Sequence, residues 1–181
     1  MKVIAGTARG RNIQAPKSGR LRITSDRVKE ALFNILGSVE DMRVLDIFAG
    51  SGNMGIEALS RGASKVVFIE NDRAHLATIT QNLERCRFTT GHEIMAVSFD
   101  RAIPRLRESQ EIFDVIFADP PYDRELAGQT LAVLAANPIL DPEGIVVVEH
   151  SSRESWTGND RFAIADRRVY GDTVLSFLKP L

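Results

Sequence analysis

The sequence predicts an α/β domain in which a doubly wound, mostly parallel sheet of seven strands carries an antiparallel hairpin at one edge. Two observations lead to this fold class. From residue 43 onward, short apolar segments alternate with segments whose apolar residues recur every three or four positions, as expected for strands alternating with helices. Near the carboxyl end, two more strand-like segments flank the turn Tyr170-Gly171-Asp172-Thr173 and should pair antiparallel.

The chain begins with a segment of broken periodicity and continues with a helix. Residues 3–23 alternate weakly and are interrupted by glycine and proline, so we expect an irregular arm or short hairpin outside the core. We therefore divide the chain into an arm, 1–23, and a sheet domain, 24–181. Thr24-Ser25-Asp26 can cap a helix that ends at Gly37. Its predicted apolar face consists of Val28, Ala31, Leu32, Ile35 and Leu36.

The sheet domain follows in chain order. The predicted strands are 44–48, 65–70, 93–98, 113–118, 144–149, 162–170 and 173–178, and the predicted helices are about 56–62, 72–83 and 125–136. In such a sheet, ligands bind beyond the carboxyl ends of the strands, near the point where the strand order reverses. The loops 46–55, 70–72 and 119–122 all lie at this edge.

The charge distribution points to a polyanionic partner. The chain has 181 residues and a net charge of −1, yet residues 1–29 hold eight basic residues and a single acidic one. A basic arm of this kind is typical of contact with phosphates, although it can also be a solvated tail. The sequence has one cysteine, no apolar run long enough for a bilayer and no signal peptide pattern. We expect a cytoplasmic monomer without membrane contact.

The loop after the first strand has the spacing of a nucleotide-binding turn. It reads Gly50-Ser51-Gly52-Asn53-Met54-Gly55, and its glycines allow a tight turn and a close approach of backbone to a ligand. Glu70 follows the next strand, where its carboxylate could accept both hydroxyls of a ribose. This pair alone does not distinguish a dinucleotide from another cofactor that contains adenosine.

Asp46 favours S-adenosylmethionine among these cofactors. It lies inside the first strand just before the glycines, where a carboxylate would repel a pyrophosphate but attract the ammonium group of a methionine.

The sharpest motif is the tetrapeptide Asp119-Pro120-Pro121-Tyr122 after the fourth strand. Two prolines fix an extended backbone and remove two N–H donors, which leaves the Asp119 carboxylate and the Pro120 carbonyl as acceptors. Two acceptors can hold both hydrogens of an exocyclic base amine and free its lone pair for attack on a sulfonium methyl group. Tyr122 can stack on a base that has been flipped out of its helix. A Pro-Pro turn that merely ends the strand is the alternative interpretation.

The remaining candidates are weaker. His75, His92 and His150 are scattered without the spacing of metal ligands, so we expect packing or solvent roles for them and no metal site. Trp156 stands in a polar loop and is more typical of a packing residue than of a base-stacking one.

Several segments, in order along the whole chain, are similar to the RsmD family of bacterial methyltransferases. They are Ile4-Ala5-Gly6, Arg9-Gly10-Arg11, the run from Arg22 to Leu36, Leu45 to Gly52, Gly55 to Ala63, Asp119 to Tyr122, Val148-Glu149-His150 and Tyr170 to Thr173. The Thr-Ser-Asp-Arg helix start and the closing Tyr-Gly-Asp-Thr are the most specific of these motifs. The resemblance implies a Rossmann-like domain, S-adenosylmethionine as cofactor and guanine N2 of 16S ribosomal RNA as target.

The resemblance also assigns residues. It implies a target amine held by Asp119 and Pro120 with Tyr122 beside it, and an N-terminal β-hairpin that contacts RNA, in the free form or in an assembled small subunit. The expected cofactor residues are Asp46, Phe48, Gly50, Gly52, Asn53, Glu70, Asn71 and Asp100, and the expected RNA-binding residues are Arg9, Arg11, Arg22, Thr24 and Arg27. The family has an acidic residue at the adenine. Its counterpart in this chain lies within residues 96–100 and is either Asp100 or Ser98.

Three other functions fit the sequence less well. A DNA adenine-N6 methyltransferase could use the same acceptors, but it usually needs a large recognition insert that this chain lacks, which favours recognition of RNA shape. A nicotinamide-dependent oxidoreductase leaves Asp119 to Tyr122 unexplained and places Asp46 awkwardly. A non-catalytic RNA-binding module would explain the basic arm but not the glycine-rich loop.

Overall fold

A computed structural model describes residues 1–15, 26–121, 125–154 and 158–181. These residues form five helices and seven strands, which alternate until the last three strands follow one another. They are α1 (Asp26–Leu36), β1 (Arg43–Ile47), α2 (Asn53–Ser60), β2 (Lys65–Ile69), α3 (Arg73–Cys86), β3 (His92–Met95), α4 (Phe99–Glu108), β4 (Phe113–Ala118), α5 (Leu126–Ala136), β5 (Leu140–Ser151), β6 (Phe162–Tyr170) and β7 (Thr173–Pro180). Among the described residues, no helix is long and apolar enough to cross a membrane.

The seven strands form one sheet in the order β3-β2-β1-β4-β5-β7-β6. The first five of these neighbours pair in parallel, while β7 pairs antiparallel with both β5 and β6. The strand order reverses direction between β1 and β4, which places the switch point there. The predicted doubly wound sheet with an antiparallel edge hairpin is therefore confirmed.

Helices cover both faces of the sheet because the central strands are apolar on both sides. One core contains buried residues of α1, α2 and α3, and the other contains buried residues of α4 and α5. Along β1, Val44 belongs to the first core and Leu45 to the second, so Asp46 faces the side that α2 covers. Strand β6 carries a register shift between Ile164 and Asp166, a β-bulge at the outer edge.

The amino-terminal arm takes part in the core, contrary to our prediction. Val3, Ala8 and Ile13 are buried in the same core as α1, α2 and α3. Within residues 1–15, the arm has a single isolated bridge, between Lys2 and Asn12, instead of a regular hairpin. Its alternation is weak because every fifth residue, rather than every second, points inward, and this spacing does not resemble that of a strand.

The predicted apolar face of α1 is partly wrong. Ile35 is exposed, whereas Phe33 and Lys29 are buried. Apolar residues cover more than half of this helix, so periodicity alone does not fix which side faces inward. The orientation is decided by Phe33, which packs edge-on against Phe117 of β4, and by Lys29, which has buried partners.

Helix α4 was missed, and the predicted third strand ended too late. The strand spans His92–Met95, and the helix begins at Phe99, where a continuing strand had been expected to end at about Ser98. Pro104 lies inside this helix and reads as a helix breaker in a sequence. Ala102, Ile103 and Leu106 nevertheless bury one side of it.

Candidate functional site

The glycine-rich loop makes a tight turn from β1 into α2. Gly50 and Gly52 have φ angles of 58° and 75°, which an L side chain adopts only with strain. The Gly52 N–H donates to the Ala49 carbonyl at 2.7 Å, and the Ala49 N–H donates to the Ile69 carbonyl at 3.1 Å. These bonds hold the loop against the end of β2, next to Glu70.

The third glycine of the motif serves helix packing. A Cβ atom on Gly55 would lie 2.3 Å from the Phe68 ring and 2.8 Å from Val66. Because such distances are far below contact distance, only glycine lets α2 lie this close to β2. Gly55 thus serves the packing of α2, and the close approach of backbone to a ligand stays a prediction for Gly50 and Gly52.

Asp46 is a buried carboxylate in a site that suits a cation. It is 3% exposed, and its Oδ2 accepts a hydrogen bond from the Gly55 N–H at 2.9 Å. Burial, together with the nearby Glu70 charge, raises the pKa of Asp46 to about 7, although the Gly55 bond opposes this shift. Within the described ranges, no Lys or Arg forms an ion pair with it. A bound ammonium group would supply the missing positive charge, so the residues present fit the methionine end of S-adenosylmethionine.

Glu70 organises the backbone around it. Its Oε2 accepts from the Gly50 N–H at 2.9 Å, and its Oε1 accepts from the N–H groups of Asn71 and Asp72 at 2.8 and 2.9 Å. The Nδ1 atom of His75 lies 3.3 Å from Oε2, a neighbour that the sequence analysis did not assign to this site. Glu70 thereby joins the glycine-rich loop to the start of α3, at the place predicted for a ribose.

Asp119 and Pro120 lie at the same edge of the sheet. The Asp119 N–H donates to the Ile47 carbonyl at 3.4 Å, and Ile47 is paired with Ala118 on one side and Ile69 on the other. Asp119, which follows β4, and Glu70, which follows β2, are thus separated by two strand spacings, or about 10 Å. Asp119 is half-buried and Pro120 is buried. Tyr122 lies outside the described residues.

The other predicted cofactor residues have different surroundings. Phe48 has a φ angle of 62°, unusual for a bulky residue, and its ring lies 5.1 Å from that of Phe99, the first residue of α4. Asn71 is exposed at the same edge. Ser98 is the N-cap of α4, and Asp100 is exposed in its first turn. Both candidates for the adenine contact thus lie beside the Phe48–Phe99 pair, and their assignment stays a prediction.

Three of the five predicted RNA-binding residues can be placed. Arg9 is exposed in the turn of the arm, and Arg27 is exposed in the first turn of α1. Arg11 is half-buried and donates from its guanidinium to the Arg85 carbonyl at the end of α3, at 2.6 Å. Arg22 and Thr24 lie outside the described residues, as does Trp156.

A buried ion pair near the loop was missed by the sequence analysis. Lys29 and Glu57 are both 0% exposed, and their charged atoms lie 3.1 Å apart. The Lys29 Nζ also donates to the Asn53 side-chain oxygen at 2.7 Å, which gives this predicted cofactor residue a protein partner. Burial lowers the pKa of Lys29, while the Glu57 carboxylate opposes the shift. The sequence does contain a signal for this ion pair: Lys29 lies beside the apolar side of α1, and Glu57 lies within the otherwise apolar helix α2.

The whole chain matches one family. The family model described as "Conserved hypothetical protein 95" matches residues 1–179. The chain is 38% identical over 166 residues to "Ribosomal RNA small subunit methyltransferase D" of Haemophilus influenzae, which covers 87% of this chain and 85% of the relative. It is 37% identical over 150 residues to the protein of the same name in Escherichia coli K12, covering 82% of this chain and 74% of the relative.

The chain belongs to this family. Among solved structures, a hypothetical protein of Thermus thermophilus superposes with a TM-score of 0.84 at 29% identity, and the match covers 99% of both chains. The resemblance to the RsmD family is thus confirmed, as is the predicted class of enzyme, a methyltransferase.

Proposed function

We propose that this chain transfers a methyl group to the exocyclic N2 amine of a guanine in small-subunit ribosomal RNA. The observation that carries the proposal is the common edge of the sheet, where Asp46 is the next-to-last residue of β1, and Glu70 and Asp119 directly follow β2 and β4. A candidate cation-binding carboxylate, a candidate ribose acceptor and a candidate amine acceptor then lie at one edge of the sheet. The relatives named for ribosomal RNA methylation supply the class of substrate.

The cofactor would lie across the glycine-rich loop. Asp46 would bind the methionine ammonium group, and Glu70 would accept hydrogen bonds from the ribose. Gly50 and Gly52 would give backbone access, and Phe48 with Phe99 would form an apolar surface near the adenine. When bound, S-adenosylmethionine supplies a methyl group that its sulfonium centre makes electrophilic.

Asp119 and Pro120 would hold the target amine. The Asp119 carboxylate and the Pro120 carbonyl each accept one N–H of the amine, which frees the nitrogen lone pair and aims it along the line of transfer. Asp119 would then stabilise the positive charge that grows on the nitrogen as the new N–CH3 bond replaces the S–CH3 bond of the donor, which would leave as S-adenosylhomocysteine. The methylated nitrogen would afterwards lose one proton to water. Tyr122, which follows Pro121 in the sequence, would stack on the flipped base.

The arm would bind the phosphates of the substrate. Arg9 of the arm and Arg27 of α1 are exposed, and the arm carries further basic residues. We propose an assembled small subunit or its free RNA as the partner, a monomeric enzyme and a location in the cytoplasm with the ribosome.

Two measurements test the proposal. Calorimetric titration should show binding of S-adenosylhomocysteine and none of NAD. After incubation with unmethylated small subunits and with naked RNA, mass mapping of nucleosides should find N2-methylguanosine at one position. Methylation of adenine N6 in DNA, with unmodified RNA, would overturn the substrate assignment.

A further inference from the structure

Two buried polar side chains join the amino-terminal arm to the glycine-rich loop. The first is Lys29 of α1, whose ammonium has three N–H donors. One reaches the Lys2 carbonyl of the arm at 2.8 Å, one the Asn53 side chain at 2.7 Å and one Glu57 at 3.1 Å. Asn53 directly follows Gly52, so one ammonium group binds both the arm and the end of the loop.

Glu57 strengthens the same connection from α2. Its two oxygens accept from the backbone N–H groups of Ile4 and Ala5 at 2.8 and 3.0 Å, and from Arg61 at 2.8 Å. Because the Lys29–Glu57 pair is buried and its hydrogen-bonding capacity is filled, neither the arm nor Asn53 can move without disturbing the pair.

The second side chain is Asn82 of α3, which is 0% exposed. Its Oδ1 accepts from the Gln14 N–H at 2.9 Å. Its Nδ2 donates to the carbonyls of Gln14 and Ser51, each at 2.9 Å. One amide group therefore joins Gln14, near the end of the described part of the arm, to the other side of Gly52.

The arm also has an anchor that does not touch the loop. The Ala8 N–H donates to the Ser60 hydroxyl at 2.9 Å, and the Thr7 N–H donates to the Ser60 carbonyl at 2.8 Å. Ser60 ends α2, about 10 Å along the helix axis from Asn53. The bonds to Ser60 attach the arm to α2 without Lys29 or Asn82. The contacts that these two side chains make with the loop therefore do more than hold the arm in place.

We propose that Lys29 and Asn82 are positioning residues that couple RNA binding at the arm to cofactor binding at the loop. A cofactor that restrains Ser51 and Asn53 also restrains Asn82 and Lys29, which hold the arm at Gln14 and Lys2. Because binding of one ligand already restrains side chains that the other ligand must also restrain, each ligand raises the affinity for the other by the same factor. This inference rests on the proposed function, since it takes the arm to be the RNA-binding element.

Hydrogen exchange on the wild-type protein tests the connection without RNA. Saturating S-adenosylhomocysteine should slow exchange of the Gln14 amide, which Asn82 holds. The Ala8 amide is the internal control, and its exchange should not change, because Ser60 holds it. Equal protection of both amides, or of neither, would overturn the proposal.

Equilibrium dialysis then measures the coupling itself. Unmethylated small ribosomal subunits at saturating concentration should tighten the binding of labelled S-adenosylhomocysteine by about fivefold or more in the wild type. Asn82→Asp keeps the acceptor for the Gln14 N–H but loses the donor to the Ser51 and Gln14 carbonyls, and it should reduce the effect to less than about twofold. Thr80→Ala, on the exposed side of the same helix, should keep the full effect.

The outcomes separate the two proposals. Undiminished coupling in Asn82→Asp, or a wild type without coupling that still methylates the subunits, overturns the inference alone. A wild type that does not methylate the subunits overturns the proposed function, while the exchange of Gln14 still decides whether the loop and the arm are connected. If Asn82→Asp fails to fold, the exchange experiment on the wild type decides the inference by itself.

Discussion

Asp119 is the residue on which the chemistry of the site depends most directly. It follows β4 at the edge that also carries Asp46 and Glu70. Asp119→Ala should lower the rate of methyl transfer by about 100-fold or more, because a preorganised acceptor at the reacting nitrogen is lost. The affinity for S-adenosylhomocysteine, measured by calorimetry, should stay near that of the wild type.

Asp119→Asn serves as the matched control, because it keeps the shape of the side chain and one acceptor oxygen. It should retain more activity than the alanine variant. Wild-type rates in Asp119→Ala, or a loss of cofactor binding that accounts for the whole defect, would show that the loop has another role.

Asp46 gives the site a pH dependence of known sign. Since its pKa in the folded protein is raised to about 7, affinity for the cofactor ammonium should increase as the pH rises through that value and the carboxylate ionises. Asp46→Asn should bind S-adenosylhomocysteine more weakly and with little change in affinity between pH 6 and 8, roughly one unit either side of that pKa. Calorimetry across this range checks the expectation, and a variant that follows the wild-type profile would assign the titration to another group.

As the pH rises, ionisation of Asp46 lowers the folding stability of the cofactor-free protein, although it raises the affinity for the cofactor. A raised pKa in the folded state means that the stability this group contributes is complete below its unfolded pKa, about 3.9, and is lost as the pH rises through about 7. Without cofactor, Asp46→Asn should therefore melt at a higher temperature than the wild type above neutral pH, and the difference should shrink in acid. A lower melting temperature for the variant above neutral pH would contradict this sign.

At the level of elements, the fit of α2 against β2 depends on the missing side chain of Gly55. A methyl group there would overlap the Phe68 ring, so Gly55→Ala should reduce the free energy of unfolding by about 1–3 kcal/mol. Urea denaturation measures the change. Because α2 begins directly after the glycine-rich loop, cofactor affinity should fall as well.

Gly128→Ala is the matched control for this prediction. Gly128 lies exposed in α5, and a Cβ atom there would meet nothing within 4 Å. It should raise the free energy of unfolding by about 0.5–1 kcal/mol through helix propensity alone. Equal effects of the two substitutions would mean that the packing at Phe68 adjusts easily.

The elements of the sheet and the loops of the site were predictable because their signals are local. A strand followed by Gly50-Ser51-Gly52, and another followed by Asp119-Pro120, can each be read within about ten residues, and parallel pairing then brings them to one edge. The helix with Pro104 was missed because the proline argues against a helix, although Phe99, Ala102, Ile103 and Leu106 have helical spacing. Lys29 and Asn82 could not be assigned, since their partners lie 24 to 68 residues away along the chain.

For the molecule as a whole, the concentration of basic residues at one end should control binding to the ribosome. Neutralising Arg9, Arg11 and Arg22 together should weaken binding to small subunits and flatten its dependence on salt, because each lost phosphate contact lowers the slope by about one. Filter binding across a range of salt concentrations measures that slope.

The control removes the same amount of charge elsewhere. Arg107, Arg161 and Arg168 are exposed and lie outside the arm. Their joint neutralisation should leave the salt slope close to that of the wild type. If both triple variants lose the same affinity for small subunits, the net charge of the protein, and not the arm, governs this binding.

The bulge in β6 bears on how these molecules behave toward one another. An outer strand with free backbone groups can recruit the same strand of a second molecule, and a shifted register next to charged side chains opposes such growth. Here the irregular step between Ile164 and Asp166 is followed by Arg167 and Arg168, while the opposite outer strand, β3, has only four residues. Both borders of the sheet thus discourage strand-to-strand aggregation, and concentrated solutions of the protein should stay clear.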